Sequence, residues 1–250
     1  MIVRSLQLTD FRNYSSLQLE LGAGVHALIG DNAQGKTNLV EALVVLSTMK
    51  SFRGVTNEAV VRKSATSAFL RADIVHDDDR EFLVEIEFKS AGRSVAQVNR
   101  KRIARTRDLL GVLRTTVFMP DDRNLVHGGA SERRALLDDA VVAVEPSRLD
   151  LVSELERVVR QRNALLKDAG YRPSSAVLAA LDAWDEKLAA LGDEVGAARA
   201  ALLADMTPFV QSSYAALAGE EREVSLTYSA DWRGGGLANA LAASRENDLR

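Results

Sequence analysis

Eight consecutive residues, Gly30-Asp31-Asn32-Ala33-Gln34-Gly35-Lys36-Thr37, fit the pattern G-x-x-x-x-G-K-[ST] at every position. Each residue type has a physical reason to stand where it does. The glycines let the backbone turn so that successive N–H groups point inward around phosphate oxygens. A helix opening directly after the loop presents its positive end to the same anion. Lys36 places an ammonium against the β/γ-phosphates, a catalytic as well as a binding role, and the Thr37 hydroxyl is suited to Mg²⁺. The competing reading is a glycine-rich surface turn. The required context is strand, loop, helix. Here Val25 to Ile29 is a short apolar run read as the strand, and Asn38 to Met49 is an apolar helix with Leu39, Leu43 and Leu46 on one face. The chain therefore reads as a binder of a nucleoside triphosphate, or as a descendant of one.

A phosphate loop alone does not name a reaction. Small-molecule kinases, GTPase switches and the dimerising ATPase heads of DNA machines share it. The base-reading N-K-x-D motif of GTPases is absent. A Walker B strand, four apolar residues ending in Asp, is also missing. Leu136-Leu137-Asp138-Asp139 comes nearest but reads better as helix, and Leu202-Leu203-Ala204-Asp205 falls within a long helical seam.

Around the loop, the first 90 residues carry mostly strand signals. Leu17, Leu19 and Leu21 alternate with polar residues, and Phe69 to Val75 and Phe82 to Phe88 flank the turn Asp77-Asp78-Asp79. Val95 to Val98 and Lys101 to Ile103 predict a hairpin turning at Asn99-Arg100. After Pro146 the character changes. A helix capped by Ser147 runs to Gly170, the chain breaks at Tyr171-Arg172-Pro173, and Ser174 or Ser175 caps a second helix. That helix carries Val177, Leu181, Trp184, Leu188, Leu191, Val195, Ala198 and Leu202 at alternating spacings of four and three, a heptad packing seam. Pro208 is expected to end or kink it. A strand is expected at Glu223 to Tyr228, then a Gly234-Gly235-Gly236 turn and a closing stretch of helix or loop. The expected divisions are 1–135, an N-terminal part of a head; 136–218, a helical lobe; and 219–250, a return towards the head that is cut short.

Composition narrows the class. In 250 residues, 46% are apolar and 27% charged, typical of a folded globular chain. Cys is absent, which excludes disulfides and thiolate chemistry. The first ten residues hold no apolar signal region, and no apolar run reaches membrane-spanning length, so a cytoplasmic protein without membrane contact is expected. His26, His76 and His127 show no ligand spacing. Residues 93–134 carry a net charge of +6 against −9 for the remainder. Such a stretch suits either a polyanion or a solvated hairpin and helix face.

Beyond the loop, further motifs form a set. Leu8-Thr9-Asp10-Phe11-Arg12-Asn13-Tyr14 precedes it, Glu41-Ala42-Leu43 and Lys50-Ser51-Phe52-Arg53 follow, and Phe118-Met119-Pro120-Asp121-Asp122-Arg123-Asn124-Leu125-Val126 and Arg133-Arg134-Ala135-Leu136-Leu137-Asp138 come later. In this order they resemble the RecF family of bacterial recombination proteins, relatives of the SMC and Rad50 ATPase heads. The resemblance spans the whole chain. It implies an α/β P-loop NTPase head of the ABC/SMC kind with an inserted α-helical hairpin lobe. It also implies a weak, ATP-dependent DNA-binding ATPase of the cytoplasm, active in recombinational repair, replication restart and SOS induction. Such proteins work with RecO and RecR to load RecA, bind double- and single-stranded DNA, and form an ATP-driven homodimer.

Carried onto this chain, the resemblance makes Gly30 to Thr37 the phosphate loop for ATP and Mg²⁺. It places Arg12 and Asn13 beside the nucleotide, where Arg12 can neutralise phosphate charge; a strand-end surface cation is the alternative. Asp122 falls where related heads sense Mg²⁺ and the γ-phosphate, although an Asp after Pro also suits a plain turn. Arg100, Lys101, Arg102, Arg105 and Arg107 become candidate contacts to the DNA backbone. The family's signature motif, Walker B acids and D-loop are not visible in these residues. The chain is thus expected to lack that part, to bind ATP weakly alone and to hydrolyse almost none. A stand-alone phosphotransferase and an inactive nucleotide-binding remnant are the alternatives.

Overall fold

The computed structural model describes residues 1–170, 173–220 and 222–249. The chain divides into two compact units, Met1–Asp122 and Arg123–Arg250.

The first unit is built on one antiparallel sheet. β1 (Ile2–Phe11), β2 (Tyr14–Glu20), β3 (Ser67–Val75), β4 (Glu81–Lys89), β5 (Val95–Val98) and β6 (Lys101–Arg102) lie in the order β2-β1-β3-β4-β5-β6. Alternation selects its buried face. Leu6 pairs Ala72, which pairs Val84; one step along, Leu8 pairs Leu70, which pairs Ile86 and then Ala96. These rows are buried together with Phe11, Ile74 and Phe88. α1 (Lys36–Thr48) covers the face with Leu39, Ala42, Val45 and Leu46. Leu43 is only half-buried, so the helix turns the 39/42/46 stripe inward, not 39/43/46. The Asp77-Asp78-Asp79 stretch is the β3–β4 turn, and no cluster able to hold a metal ion occurs among the described residues. At the β5–β6 turn Asn99 and Arg100 have φ of 50° and 63°, the left-handed pair a two-residue hairpin needs.

One expected strand is absent. Val25 to Ile29 is irregular, with Val25 fully and Ile29 92% exposed. The chain leaves the sheet after Leu21, whose N–H donates to the Arg4 carbonyl at 2.7 Å. Among the described residues no strand lies beside the run, so its backbone groups have no ladder to join.

The second unit is helical. α2 (Asn124–His127) and α3 (Ala130–Val144) lead to α4 (Leu149–Ala169), α5 (Ser175–Ala218) and α6 (Leu237–Asp248). Ser174 caps α5 by accepting from the Val177 N–H at 3.3 Å. Ser147 does not cap α4: it sits in a 3₁₀ turn, Pro146–Arg148, and its hydroxyl donates to Glu145. The expected break at Tyr171 and Arg172 lies outside the described residues. The heptad seam packs as expected. Trp184, Leu188 and Leu191 of α5 meet Leu155 and Val158 of α4, and Leu237 and Leu241 of α6 join them.

Ion pairs reinforce this bundle. Arg162 of α4 donates to Asp185 of α5 at 2.5 Å and to Asp248 of α6 at 2.6 Å. Burial opposes the Arg162 charge, but these two carboxylates outweigh it and raise its pKa. Arg199 of α5 grips Asp138 of α3 through two bonds of 2.8 and 2.7 Å. Asp138 is therefore a helix-packing partner, as its helical pattern suggested. Pro208 does not end α5, which continues to Ala218.

Glu223 to Tyr228 is not a strand either. Among the described residues no strand pairs with it, and Arg199 donates to the Tyr228 hydroxyl at 3.1 Å. The expected divisions at 135/136 and 218/219 do not coincide with the two compact units. α3 packs on α5 through Arg199–Asp138, and Trp232 and Leu237 lie against Gly196 and Gly192 of α5. Both flanks thereby join the helical unit.

Candidate nucleotide-binding site

The phosphate loop emerges from exposed chain and ends in α1, whose first turn contains Lys36, Thr37 and Asn38. No side chain caps this helix and no acid stands in its first turn. Its leading N–H groups are left for an anion. Gly35, the residue before the helix, has φ of 102°, a conformation that strains any side chain. A Cβ there would also lie 2.6 Å from the Asn13 amide nitrogen. Only glycine meets both demands.

Lys36 folds back into the loop, its ammonium donating to the carbonyls of Gly30 at 2.6 Å and Asp31 at 2.8 Å. One of its three N–H donors remains for a phosphate oxygen. Asp31, Asn32, Ala33 and Gln34 are exposed, Ala33 in a left-handed conformation with φ of 66°. Thr37 is exposed at the helix start, as a metal-facing hydroxyl would be.

Asn13, Tyr14 and Asn38 brace the loop. Asn13 Nδ2 donates to the Gln34 carbonyl at 3.1 Å, and its Oδ1 accepts from Asn38 Nδ2 at 2.8 Å. The Tyr14 hydroxyl donates to the Gly35 carbonyl at 3.2 Å. Asn13 thus lies against the loop backbone. Arg12 is engaged elsewhere. Its Nε and Nη2 donate to Glu41 at 2.9 and 2.5 Å, and its Nη1 donates to the Ala59 carbonyl at 2.9 Å. With its guanidinium edge occupied by a buried carboxylate, Arg12 shapes the site from behind.

Asp122 lies in a 3₁₀ turn, Pro120–Arg123, where its carboxylate accepts from the Met119 N–H at 2.7 Å. That is the plain-turn alternative the sequence allowed. Arg100, Lys101, Arg102 and Arg105 are exposed, whereas Arg107 is half-buried. Arg100, Lys101 and Arg102 form the tip and end strand of the β5–β6 hairpin, at the sheet edge opposite β2.

Glu41 and Asn38 received no role from the sequence. A visible signal existed for Glu41: an acid in the inward stripe of α1, between Leu39 and Ala42, demands a buried cation.

Residues 2–226 match the model of the RecF/RecN/SMC N-terminal domain. The chain belongs to this family. Among relatives named DNA replication and repair protein RecF, that of Frankia alni is 42% identical over 228 residues, covering 90% of this chain and 60% of its own. That of Beutenbergia cavernae is 42% identical over 236 residues, covering 92% and 59%. The chain thus spans about 60% of the length of these RecF relatives. Two solved structures of the recombination mediator RecF, with ATP and with ATPrS, superpose on 99% of this chain and 68% of theirs. Their TM-scores are 0.84 and 0.87, each at 27% identity. The fold is the mixed α/β RecF type, an antiparallel sheet accompanied by helices.

Proposed function

We propose that this chain carries the phosphate-binding part of a RecF-type head, which binds ATP and, in response, DNA during repair. The observation that supports it most is the loop itself: Lys36 drawn inward beneath an uncapped α1, in a chain that superposes on RecF solved with ATP. Gly30 to Thr37 would hold the triphosphate through backbone N–H groups and Lys36. Asn13 would keep the loop in shape, and Arg12 would act through its hold on Glu41. Thr37 would supply one ligand to Mg²⁺, with phosphate oxygens and water completing its shell. A bound metal would add Lewis-acid polarisation of the terminal phosphate. Asp122 is the remaining acid assigned to sensing that metal, after release from its turn.

In this reading the exposed basic hairpin contacts double- or single-stranded DNA by its phosphates, with little sequence preference. ATP-driven pairing of two such heads, cooperation with RecO and RecR, RecA loading, the SOS response and a cytoplasmic setting belong to the same proposal. Hydrolysis by these residues alone should be close to nil, since no Walker B acid or signature motif stands among them.

The test is fluorescence anisotropy with labelled duplex and single-stranded DNA, over a salt series, with and without ATP. The Arg100→Ala/Lys101→Ala/Arg102→Ala variant should weaken binding. It should also flatten the slope of log K against log salt by about 2 to 3, for three lost phosphate contacts. An unchanged slope and affinity would remove the hairpin from the DNA surface. Affinity indifferent to ATP would count against coupling in this chain.

A further inference from the structure

Glu41 is a carboxylate with no solvent exposure, on the inward face of the helix that starts at the phosphate loop. A buried carboxylate is tolerated only when its lone pairs are met by donors, and here they are. Arg12 supplies Nε and Nη2, Arg53 Nη1 lies 3.4 Å away, and the Ser51 hydroxyl donates in a very short bond. Two guanidinium groups therefore converge on one carboxylate, leaving a net positive charge at the root of the loop.

Both arginines lead back to the loop. Arg53 Nη1 also donates to Asn38 Oδ1 at 2.9 Å, Asn38 donates to Asn13, and Asn13 donates to the Gln34 carbonyl. Arg12 immediately precedes Asn13 and has φ of 55°, a left-handed conformation costly for a side chain as large as arginine. Its N–H donates to the Val60 carbonyl at 2.8 Å, and its guanidinium is fixed at Glu41. The unfavourable backbone shape is thus held in place, and it delivers Asn13 to Gln34 and Gly35.

We propose that Glu41 is a positioning residue of the phosphate site. By fixing Arg12 and Arg53 it closes a ring of ion pairs, hydrogen bonds and one peptide link, Glu41–Arg53–Asn38–Asn13–Arg12, whose contact with the loop, from Asn13 to the Gln34 carbonyl, grips the Gln34–Gly35 peptide in its phosphate-ready shape. The role rests on the nucleotide-binding reading above. It assigns to Glu41 no contact with nucleotide. Its action is through the loop backbone, and it sets a net positive charge behind the phosphates.

Backbone amide NMR on the whole chain separates this role from simple stabilisation. Arg53→Met breaks the ring at a half-exposed side chain, far in sequence from the loop, and Glu41→Gln weakens it at its centre. Without nucleotide, both variants should shift the Gln34, Gly35 and Lys36 amide resonances while β3 and β4 resonances stay in place. Affinity for ATP should fall about three- to tenfold in Arg53→Met, the worth of one or two net hydrogen bonds. If Glu41→Gln loses the dispersed sheet resonances, Arg53→Met carries the test alone. Unmoved loop resonances in Arg53→Met, with a wild type that still responds to ATP, would overturn the role given to Glu41. A wild type whose Gly35 and Lys36 amides ignore ATP would overturn the nucleotide reading itself, and the positioning role with it.

Discussion

Replacing Arg12 by Ala separates two roles for this arginine, a phosphate-neutralising cation and a structural clamp. The Glu41 carboxylate is fully buried, and Arg12 supplies two of its donors. Removing one partner of a buried ion pair costs about 3–5 kcal/mol. Arg53 and Ser51 stay in reach of the carboxylate, so the lower end, about 3 kcal/mol, applies. Ala at φ of 55° is strained as well, so no relief offsets the loss. Unfolding entropy of about 2.1 cal/mol/K per residue over the unit Met1–Asp122 gives about 0.26 kcal/mol/K, hence a fall in Tm of about 12 °C. Differential scanning calorimetry on the nucleotide-free chain reads it directly. A control sharpens the result: Arg12→Leu with Glu41→Leu removes both charges and should recover most of the loss, because apolar replacement of a buried pair is often neutral. An Arg12→Ala variant melting within 3 °C of wild type would refute the clamp, and the guanidinium would then be free for phosphate.

Three further outcomes follow from the geometry. A Cβ on Gly196 would lie 2.6 Å from the Trp232 ring, so Gly196→Ala should destabilise by about 1–2 kcal/mol despite the gain in helix propensity; at Gly192 the obstacle is the flexible end of Leu237, so Gly192→Ala should be near neutral, and urea unfolding of the two variants checks the contrast. Glu154 is held to about 2 by hydrogen bonds from Arg157 and then Lys187; its favourable contribution is present above the ordinary carboxylate range and is lost as pH falls towards 2, and a carboxyl-carbon NMR titration should show that midpoint move up in Arg157→Ala. Ile29→Asn should change the unfolding free energy by less than about 0.5 kcal/mol, since the side chain is 92% exposed, and calorimetry on that variant checks it.

Much of this molecule was legible in its sequence because the signals were local. Alternation of Phe82, Val84, Ile86 and Phe88 marks β4 and its buried face without reference to any partner. Asn99-Arg100 can adopt the left-handed pair that closes the last hairpin, and Ser174 caps α5 by a bond to its own first turn. The heptad seam foretold how α4 and α5 meet.

The failures share a cause as well. Val25 to Ile29 and Glu223 to Tyr228 have strand-like composition, but a strand exists only beside another strand, and no run of residues encodes its neighbour. In the site, the loop and Asn13 were readable as a motif, whereas the engagement of Arg12 with Glu41 spans 29 positions and Arg53 reaches Asn38 across 15. The first arises from the β1–β2 turn meeting the face of α1 and the second from the segment after α1 folding back on its first turn, both products of tertiary packing. The one sequence clue was the acid lodged in an apolar stripe.

The central claim is that Gly30 to Thr37 hold a triphosphate. Equilibrium binding of a fluorescent ATP analogue with Mg²⁺, wild type against Lys36→Ala, tests it most directly. The account predicts saturable binding by wild type that weakens at least tenfold in the variant, while the far-UV circular dichroism of the two proteins stays the same. Equal binding by both, or none by a folded wild type, would contradict it.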